Sequence, residues 1–370
     1  MKIAIVLGTR PEIIKMAPVI RELENKGENY SILHTGQHYS YNLDSVFFEQ
    51  LKLPHAKYNL KVGSGSHAEE TAKILIGVEK VLCREEPDIV LVEGDTNSVL
   101  GGALAAAKLH IRVGHVEAGL RSYDKQMPEE INRILTDHCS DYLFAPTPKA
   151  REILLGEGIH NDKIFVTGNT IVDAVYQNLE IARRSSKFDV KLTTSNAERR
   201  TLNLEPRNYF LVTLHRQENV DNSARFASIL EGLDRVATEF ALPIIYPIHP
   251  RSRKMMKYFN LEPKNLELVE PLDFLSFLQL ESNARLILTD SGGVQEEACI
   301  LNVPCVTLRD NTERPETIEV GANILAGTSA DKILECVKFM LSSEGNWINP
   351  FGDGKAGERI VKIVTELQTS

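Results

Sequence analysis

Short apolar, β-branched runs recur along this chain with longer helical patterns between them, and that rhythm restricts the fold more than any other feature. In the first half the runs are Lys2–Leu7, Ser31–Thr35, Ile89–Glu93, Arg112–Glu117, Tyr142–Ala145 and Ile164–Thr167, separated by helical stretches such as Glu69–Arg84 and Ser98–Leu109. Strands with little polar alternation are buried on both faces, which calls for a parallel sheet covered by helices. From about Asp173 to Arg207 the texture turns polar and offers no convincing strand; it reads as a helix leaving one domain, an excursion and a linker. The rhythm then restarts with Tyr209–Leu214, Pro243–Pro247, Leu266–Val269, Leu286–Asp290, Val303–Leu308 and Asn323–Ala326. A chain of 370 residues exceeds one ordinary core. The expectation is an α/β protein of two Rossmann-like, doubly wound domains facing a cleft, with ligands at the carboxyl ends of the strands.

Composition narrows the partners. A net charge of −9 argues against a general nucleic-acid binder, whose phosphate contacts call for a basic face, although a few local cations suffice for a small anion. Hydrophobic residues at 42% and charged residues at 25% are those of a soluble globular protein. The cysteines (Cys83, Cys139, Cys299, Cys305, Cys336) are odd in number and scattered, as buried free thiols of a reducing cytoplasm are. The first apolar run breaks at Gly-Thr-Arg-Pro-Glu after about six residues, too short for a signal peptide. No run approaches the roughly 20 residues of a membrane helix. A cytoplasmic protein with no membrane or nucleic-acid partner is expected.

The charged and hydroxylic residues of interest stand just after the strands. "KIAIVLGTRPEIIKMAPVIREL" has the strand-turn-helix form of a dinucleotide-binding unit, yet lacks G-x-G-x-x-G and carries Arg10 and Lys15 instead. Asp95 and Thr96 in "VLVEGDTNS", His115 and Glu117 in "RVGHVEAGLRS", His215 and Arg216 in "FLVTLHRQEN", and His249 and Arg251 in "YPIHPRSR" repeat the placement. Any one of these reads equally as a cap on the next helix; their recurrence in both halves points to a site. In "LILTDSGGVQEEAC", Ser291, Gly292 and Gly293 open a helix whose free N–H groups and dipole suit an anion, and Glu297 lies near enough for ribose hydroxyls. The same segment also reads as a turn capped by Asp290 or Ser291. Arg314 in "DNTERPE" is a further diphosphate partner or a solvated charge. Asp95, Glu117, Glu129 and His215 are the acid–base candidates, and the Glu129–Glu130 pair after Pro128 also reads as dipole compensation. His34 and His38 have no third ligand placed to make a metal site, so none is expected.

The ordered set "GTRPEIIKMAPV", "GDTNSVLGGALAA", "VGHVEAGLRS", "MPEEINR", "GNTIVDA", "LHRQEN", "LTDSGGVQEEA", "TERPE" and "NPFGDGKAGERI" spans nearly the whole chain and resembles the non-hydrolysing UDP-N-acetylglucosamine 2-epimerase family. The resemblance implies a GT-B-like fold with a UDP-sugar in the cleft, a homodimer, and chemistry without NAD, metal or other cofactor. It implies that the last helix crosses back, giving domains 1–172 plus 351–370 and 173–350. It implies inversion of carbon 2 of UDP-GlcNAc to UDP-ManNAc through 2-acetamidoglucal, supplying ManNAc-type sugars to a glycan or polysaccharide. Catalytic positions fall at Asp95, Glu117, Glu129 and His215. Binding positions fall at Arg10, Lys15, Ser291, Gly292, Gly293, Glu297 and Arg314, with Phe277 near the uracil. In "EPLDFLSF", Leu272 stands where bacterial members often have a Gln, so that side-chain amide is missing. Gln37, His38 and His67 match the region where some members bind an activating UDP-GlcNAc. A UDP-diacetamido-uronic acid 2-epimerase, a GT-B glycosyltransferase and a nucleotide-sugar sensor share many of these features.

Overall fold

The computed structural model describes residues 1–36, 47–185, 192–193, 201–202, 204–343 and 345–366. The chain divides into two compact units, Met1–Gln177 with Phe351–Ser370, and Asn178–Pro350. In the first, strands β1 (Lys2–Leu7), β2 (Asn29–His34), β3 (Tyr58–Asn59), β4 (Ile89–Glu93), β5 (Arg112–Val116), β6 (Tyr142–Ala145) and β7 (Ile164–Val166) form one parallel sheet in the order β3-β2-β1-β4-β5-β6-β7. β1 and β4 are buried almost throughout, which is why they carry no alternation.

A short pair, β8 (Leu192–Thr193) and β9 (Thr201–Leu202), is antiparallel and occurs in the stretch where the sequence offers no strand. The second unit holds β10 (Phe210–Thr213), β11 (Ile244–Pro247), β12 (Leu266–Val269), β13 (Leu286–Thr289), β14 (Cys305–Thr307) and β15 (Asn323–Leu325). They form a parallel sheet in the order β12-β11-β10-β13-β14-β15. Each sheet reverses its winding once, between β1 and β4 and between β10 and β13. A doubly wound sheet opens a crevice at the carboxyl ends of the strands at that point. Each predicted strand of the sheets lies within two residues of its observed limits, the usual uncertainty of an element end. β3 is too short to leave a signal.

The last helix, Ala356–Glu366, belongs to the first unit. Its first N–H groups at Ala356 and Gly357 donate to the buried Asp173 carboxylate at 3.1 and 2.9 Å, an N-terminal anion in the favourable place. Gly357 lets the two helices approach closely: a Cβ there would sit 3.0 Å from the Pro18 backbone in helix Arg10–Lys26, which would have to give way. Among the described residues no helix is long and apolar enough to cross a membrane.

Candidate functional site

In the first unit the charged groups collect at the carboxyl ends of β1, β4 and β5. Helix Arg10–Lys26 follows β1 with Pro11 in its first turn, where a missing N–H costs nothing. One turn on, Lys15 Nζ ion-pairs with Glu117 and lies 3.4 Å from Glu93 Oε1. Glu117 leaves β5 with φ +69°, a left-handed conformation uncommon outside glycine, and Asn169 Nδ2 donates to its Oε1 at 3.4 Å. Arg10 lies at the surface with its guanidinium 5.9 Å from the Phe47 ring centroid. So the two cations of the opening loop differ: Lys15 meets Glu117 and Glu93, and Arg10 is exposed.

Asp95 follows β4 and is clasped by Arg133, whose Nε and second amino group lie 3.0 and 2.6 Å from Oδ2. The same guanidinium donates to Glu130 at 2.7 Å. Of the adjacent pair in "PEE", Glu130 is the buried one. Burial acts to raise its pKa, but the Ser122 and Tyr123 N–H groups and Arg133 outweigh it and hold it below the usual carboxylate range. Glu129 stays half-exposed in the first turn of helix Pro128–Cys139.

Behind these groups, His115 is fully buried with Nδ1 2.6 Å from Asp137 and Nε2 2.8 Å from the Gly94 carbonyl. Arg121 reaches the other Asp137 oxygen at 2.7 Å, and Gly119 N–H donates to it at 3.2 Å. Burial would raise the Asp137 pKa, yet His115 and Arg121 bring it below its ordinary value. His115 is thus a brace for the loop carrying Glu117.

Glu12 accepts from the Gly8 N–H at 2.6 Å, Thr9 at 2.8 Å and Thr96 at 2.7 Å, tying the β1 and β4 turns together. Burial pushes its pKa up from 4.5 to about 7. The folded state therefore holds a proton that the unfolded chain releases between those values. That contribution to stability is complete below pH 4.5 and lost as pH rises through 7, about 3 kcal/mol in all for such a shift. Urea unfolding across this window is expected to show wild type losing stability relative to Glu12→Gln as pH rises. A difference that does not change with pH counts against it.

In the second unit, Asp290 after β13 is completely buried. It accepts from the His215 N–H at 3.0 Å and the Arg216 N–H at 2.8 Å, and lies 3.1 Å from His215 Nδ1. Asp290 therefore fastens the loop after β10 instead of capping its own helix. Ser291 is the N-cap of helix Gly292–Ile300 but makes no side-chain cap bond, so the Asp290-or-Ser291 cap is absent. A Cβ on Gly292 would come within 2.7 Å of Glu313 Oε1, so a larger residue there would have to push the Glu313 carboxylate aside.

Glu297 is 9% exposed, and Glu281 of helix Phe274–Asn283 is fully buried; burial first, then the Glu297 charge, raises the Glu281 pKa far above the carboxylate range. Arg314 Nε pairs with the buried Glu296 at 2.8 Å. Phe277 and Leu272 both pack partly buried against the apolar layer that includes Val294. His249, unlike His215, caps its helix, accepting from the Arg251 N–H at 3.2 Å, while Arg251 pairs with Asp221. The His215 and His249 rings lie 5.7 Å apart.

His67 begins helix His67–Glu85, its Nδ1 3.3 Å from Asn97 Nδ2 at the start of the helix after β4. Gln37 and His38 lie outside the described residues. All five cysteines are free, and among the described residues no His, Cys, Asp and Glu cluster is arranged to hold a metal. Sequence reasoning missed Glu93, Glu12 and Arg133. Glu93 left a signal, a carboxylate closing an otherwise apolar strand; Arg133, the one Arg or Lys of helix Pro128–Cys139, left none, because its partner Asp95 is 38 residues away.

Two doubly wound parallel sheets, with charged groups and glycine-bearing turns at their carboxyl ends, define a GT-B-like α/β protein. The family model for UDP-N-acetylglucosamine 2-epimerase matches residues 21–365. A UDP-N-acetylglucosamine 2-epimerase from Methanocaldococcus jannaschii is 57% identical over 370 residues, 99% of each chain. The crystal structure of the enzyme from that organism in complex with UDP-GlcNAc and UDP superposes with a TM-score of 0.85 at 56% identity, covering 99% of this chain and 100% of the other. A UDP-2,3-diacetamido-2,3-dideoxy-D-glucuronate 2-epimerase from Pseudomonas aeruginosa is 39% identical over 99% of this chain and 100% of its own. This chain belongs to the UDP-N-acetylglucosamine 2-epimerase family.

Proposed function

We propose that this protein interconverts UDP-GlcNAc and UDP-ManNAc. The observation that carries the reading is the Lys15–Glu117 pair at the carboxyl ends of β1 and β5, a buried carboxylate fixed beside a partly buried cation. Carbon 2 carries a proton of low acidity, and its removal needs a positioned base. In the forward direction the base takes that proton, the carbon 1–oxygen bond breaks, and its electron pair leaves with UDP. A carbon 1–carbon 2 double bond remains, giving 2-acetamidoglucal. A proton then returns to carbon 2 on the opposite face while UDP oxygen rebonds to carbon 1.

Asp95, Glu117, Glu129 and His215 serve these proton transfers in this reading. Arg10, Lys15, Ser291, Gly292, Gly293, Glu297 and Arg314 bind the substrate, and fixed cations and N–H groups stabilise the diphosphate as it departs. Phe277 lies by the uracil, and Leu272 leaves recognition of its edge to backbone groups. The isomerisation is redox-neutral overall and calls for no nicotinamide. The reading includes a cytoplasmic homodimer that supplies ManNAc-type sugars to glycan synthesis, with His67 and the Gln37–His38 segment as an activator site. The higher identity to the N-acetylglucosamine enzyme than to the diacetamido-uronate enzyme, 57% against 39%, favours UDP-GlcNAc as substrate.

Incubation with UDP-GlcNAc in deuterated water is expected to place deuterium on carbon 2 and to form UDP-ManNAc. Folded protein that gives neither exchange nor product overturns the reading. Exchange confined to the diacetamido-uronate nucleotide, run in parallel, transfers it to the second substrate.

A further inference from the structure

Glu93 ends β4, and its Cα partner on β5 is Val116, the residue before Glu117. In a regular strand Glu117 would continue the alternation of faces; its φ of +69° interrupts that alternation, and both carboxyl groups meet one ammonium, Lys15 Nζ. Glu93 is 2% exposed and Glu117 7%. Glu93 Oε1 lies 3.4 Å from Nζ and has no hydrogen-bond donor among the described residues, and the Glu93 carboxyl is within hydrogen-bonding reach of Glu117. Two carboxylates out of water beside one cation leave a charge uncompensated, and a single proton held between them removes it. The groups facing Glu93 are Lys15 and Glu12 from helix Arg10–Lys26 and Glu117 from the end of β5. Glu117 has the closer Lys15 contact and the Asn169 donor, which favour its charged form. Burial, reinforced by Glu117 and Glu12 against the pull of Lys15, drives the Glu93 pKa well above the carboxylate range.

We propose that Glu93 is a positioning residue for Glu117: a neutral carboxylic acid that donates a hydrogen bond to the Glu117 carboxylate and, with Lys15, fixes its orientation for proton transfer. The role of Glu117 in that statement rests on the epimerase reading; the proton on Glu93 does not. As pH rises far enough to remove that proton, the donor is lost and two like charges face each other beneath Lys15.

Difference infrared spectroscopy of the ligand-free protein, wild type against Glu93→Gln, tests the proton directly. A protonated-carboxyl stretch present at neutral pH in wild type and missing from the variant is expected; no such band overturns the proposal whatever the activity. The kinetic arm follows kcat/KM against pH. Glu93→Gln keeps a donor at every pH, so the alkaline limb due to Glu93 is expected to vanish. Glu93→Leu has no donor, and its kcat is expected to fall about tenfold or more below that of Glu93→Gln, with KM little changed. An unmoved alkaline limb, or equal rates in the two variants, overturns the positioning role. If Glu93→Leu fails to fold, the infrared band and the Glu93→Gln profile decide the matter. Wild type inert toward both nucleotide sugars would remove the epimerase reading and leave the infrared result standing.

Discussion

Glu117→Gln is expected to lower turnover on the order of 10²-fold or more, as removal of an acid–base group does. The substitution keeps shape and hydrogen-bonding capacity but cannot take or hold a proton at the reacting distance. Its effect on folding is expected to be small, because Lys15 retains Glu93 at 3.4 Å and Glu93 can ionise to neutralise it. Rate and stability therefore separate. Carbon 2 exchange and kcat should both collapse while the thermal midpoint barely moves. Asp95, Glu129 and His215 follow the same expectation for rate, and near-wild-type turnover in variants of all four positions would refute the acid–base assignment.

Asp290→Ala is expected to lose about 3 kcal/mol of stability as well as activity. Asp290 is completely buried and holds the His215 and Arg216 N–H groups, His215 Nδ1, and Asn219 Nδ2 at 3.3 Å. Alanine removes the acceptor from all of them, and a buried donor without a partner costs about 1–3 kcal/mol. Breaking one side of a buried charged network falls in the same or a larger range. The loop that aims His215 loses its anchor with it. Urea unfolding that follows the second unit should show a lower midpoint with an unchanged slope; an unmoved midpoint would show that the carboxylate is not the fastening.

The contrast between these two residues bears on how legible the site is. Glu117 and Asp290 look alike in sequence, each an acid closing an apolar run. One is drawn out of regular strand geometry onto a lysine, and the other ties down a neighbouring loop. The same holds for His215 and His249, of which one meets Asp290 and the other caps its own helix. Local sequence shows that such residues stand at strand ends. It does not show which way the backbone turns them.

What did not show is short or distant. β3, β8 and β9 have two residues each, below any periodicity. Lys15 reads from sequence as a cation for a diphosphate, and the fold places it on Glu117, 102 residues away. Arg133 finds Asp95 across 38 residues in the same manner.

The sequence by itself determined the α/β class, the break into two winding units and the chemical types at the strand ends. Each of these rests on local periodicity and on the residue that follows a strand. The tertiary structure decided the order β2-β1-β4-β5, and with it the meeting of Lys15, Glu93 and Glu117. It also decided the charge states, since a carboxyl group ionises according to its burial and neighbours, which exist only once the sheet is assembled.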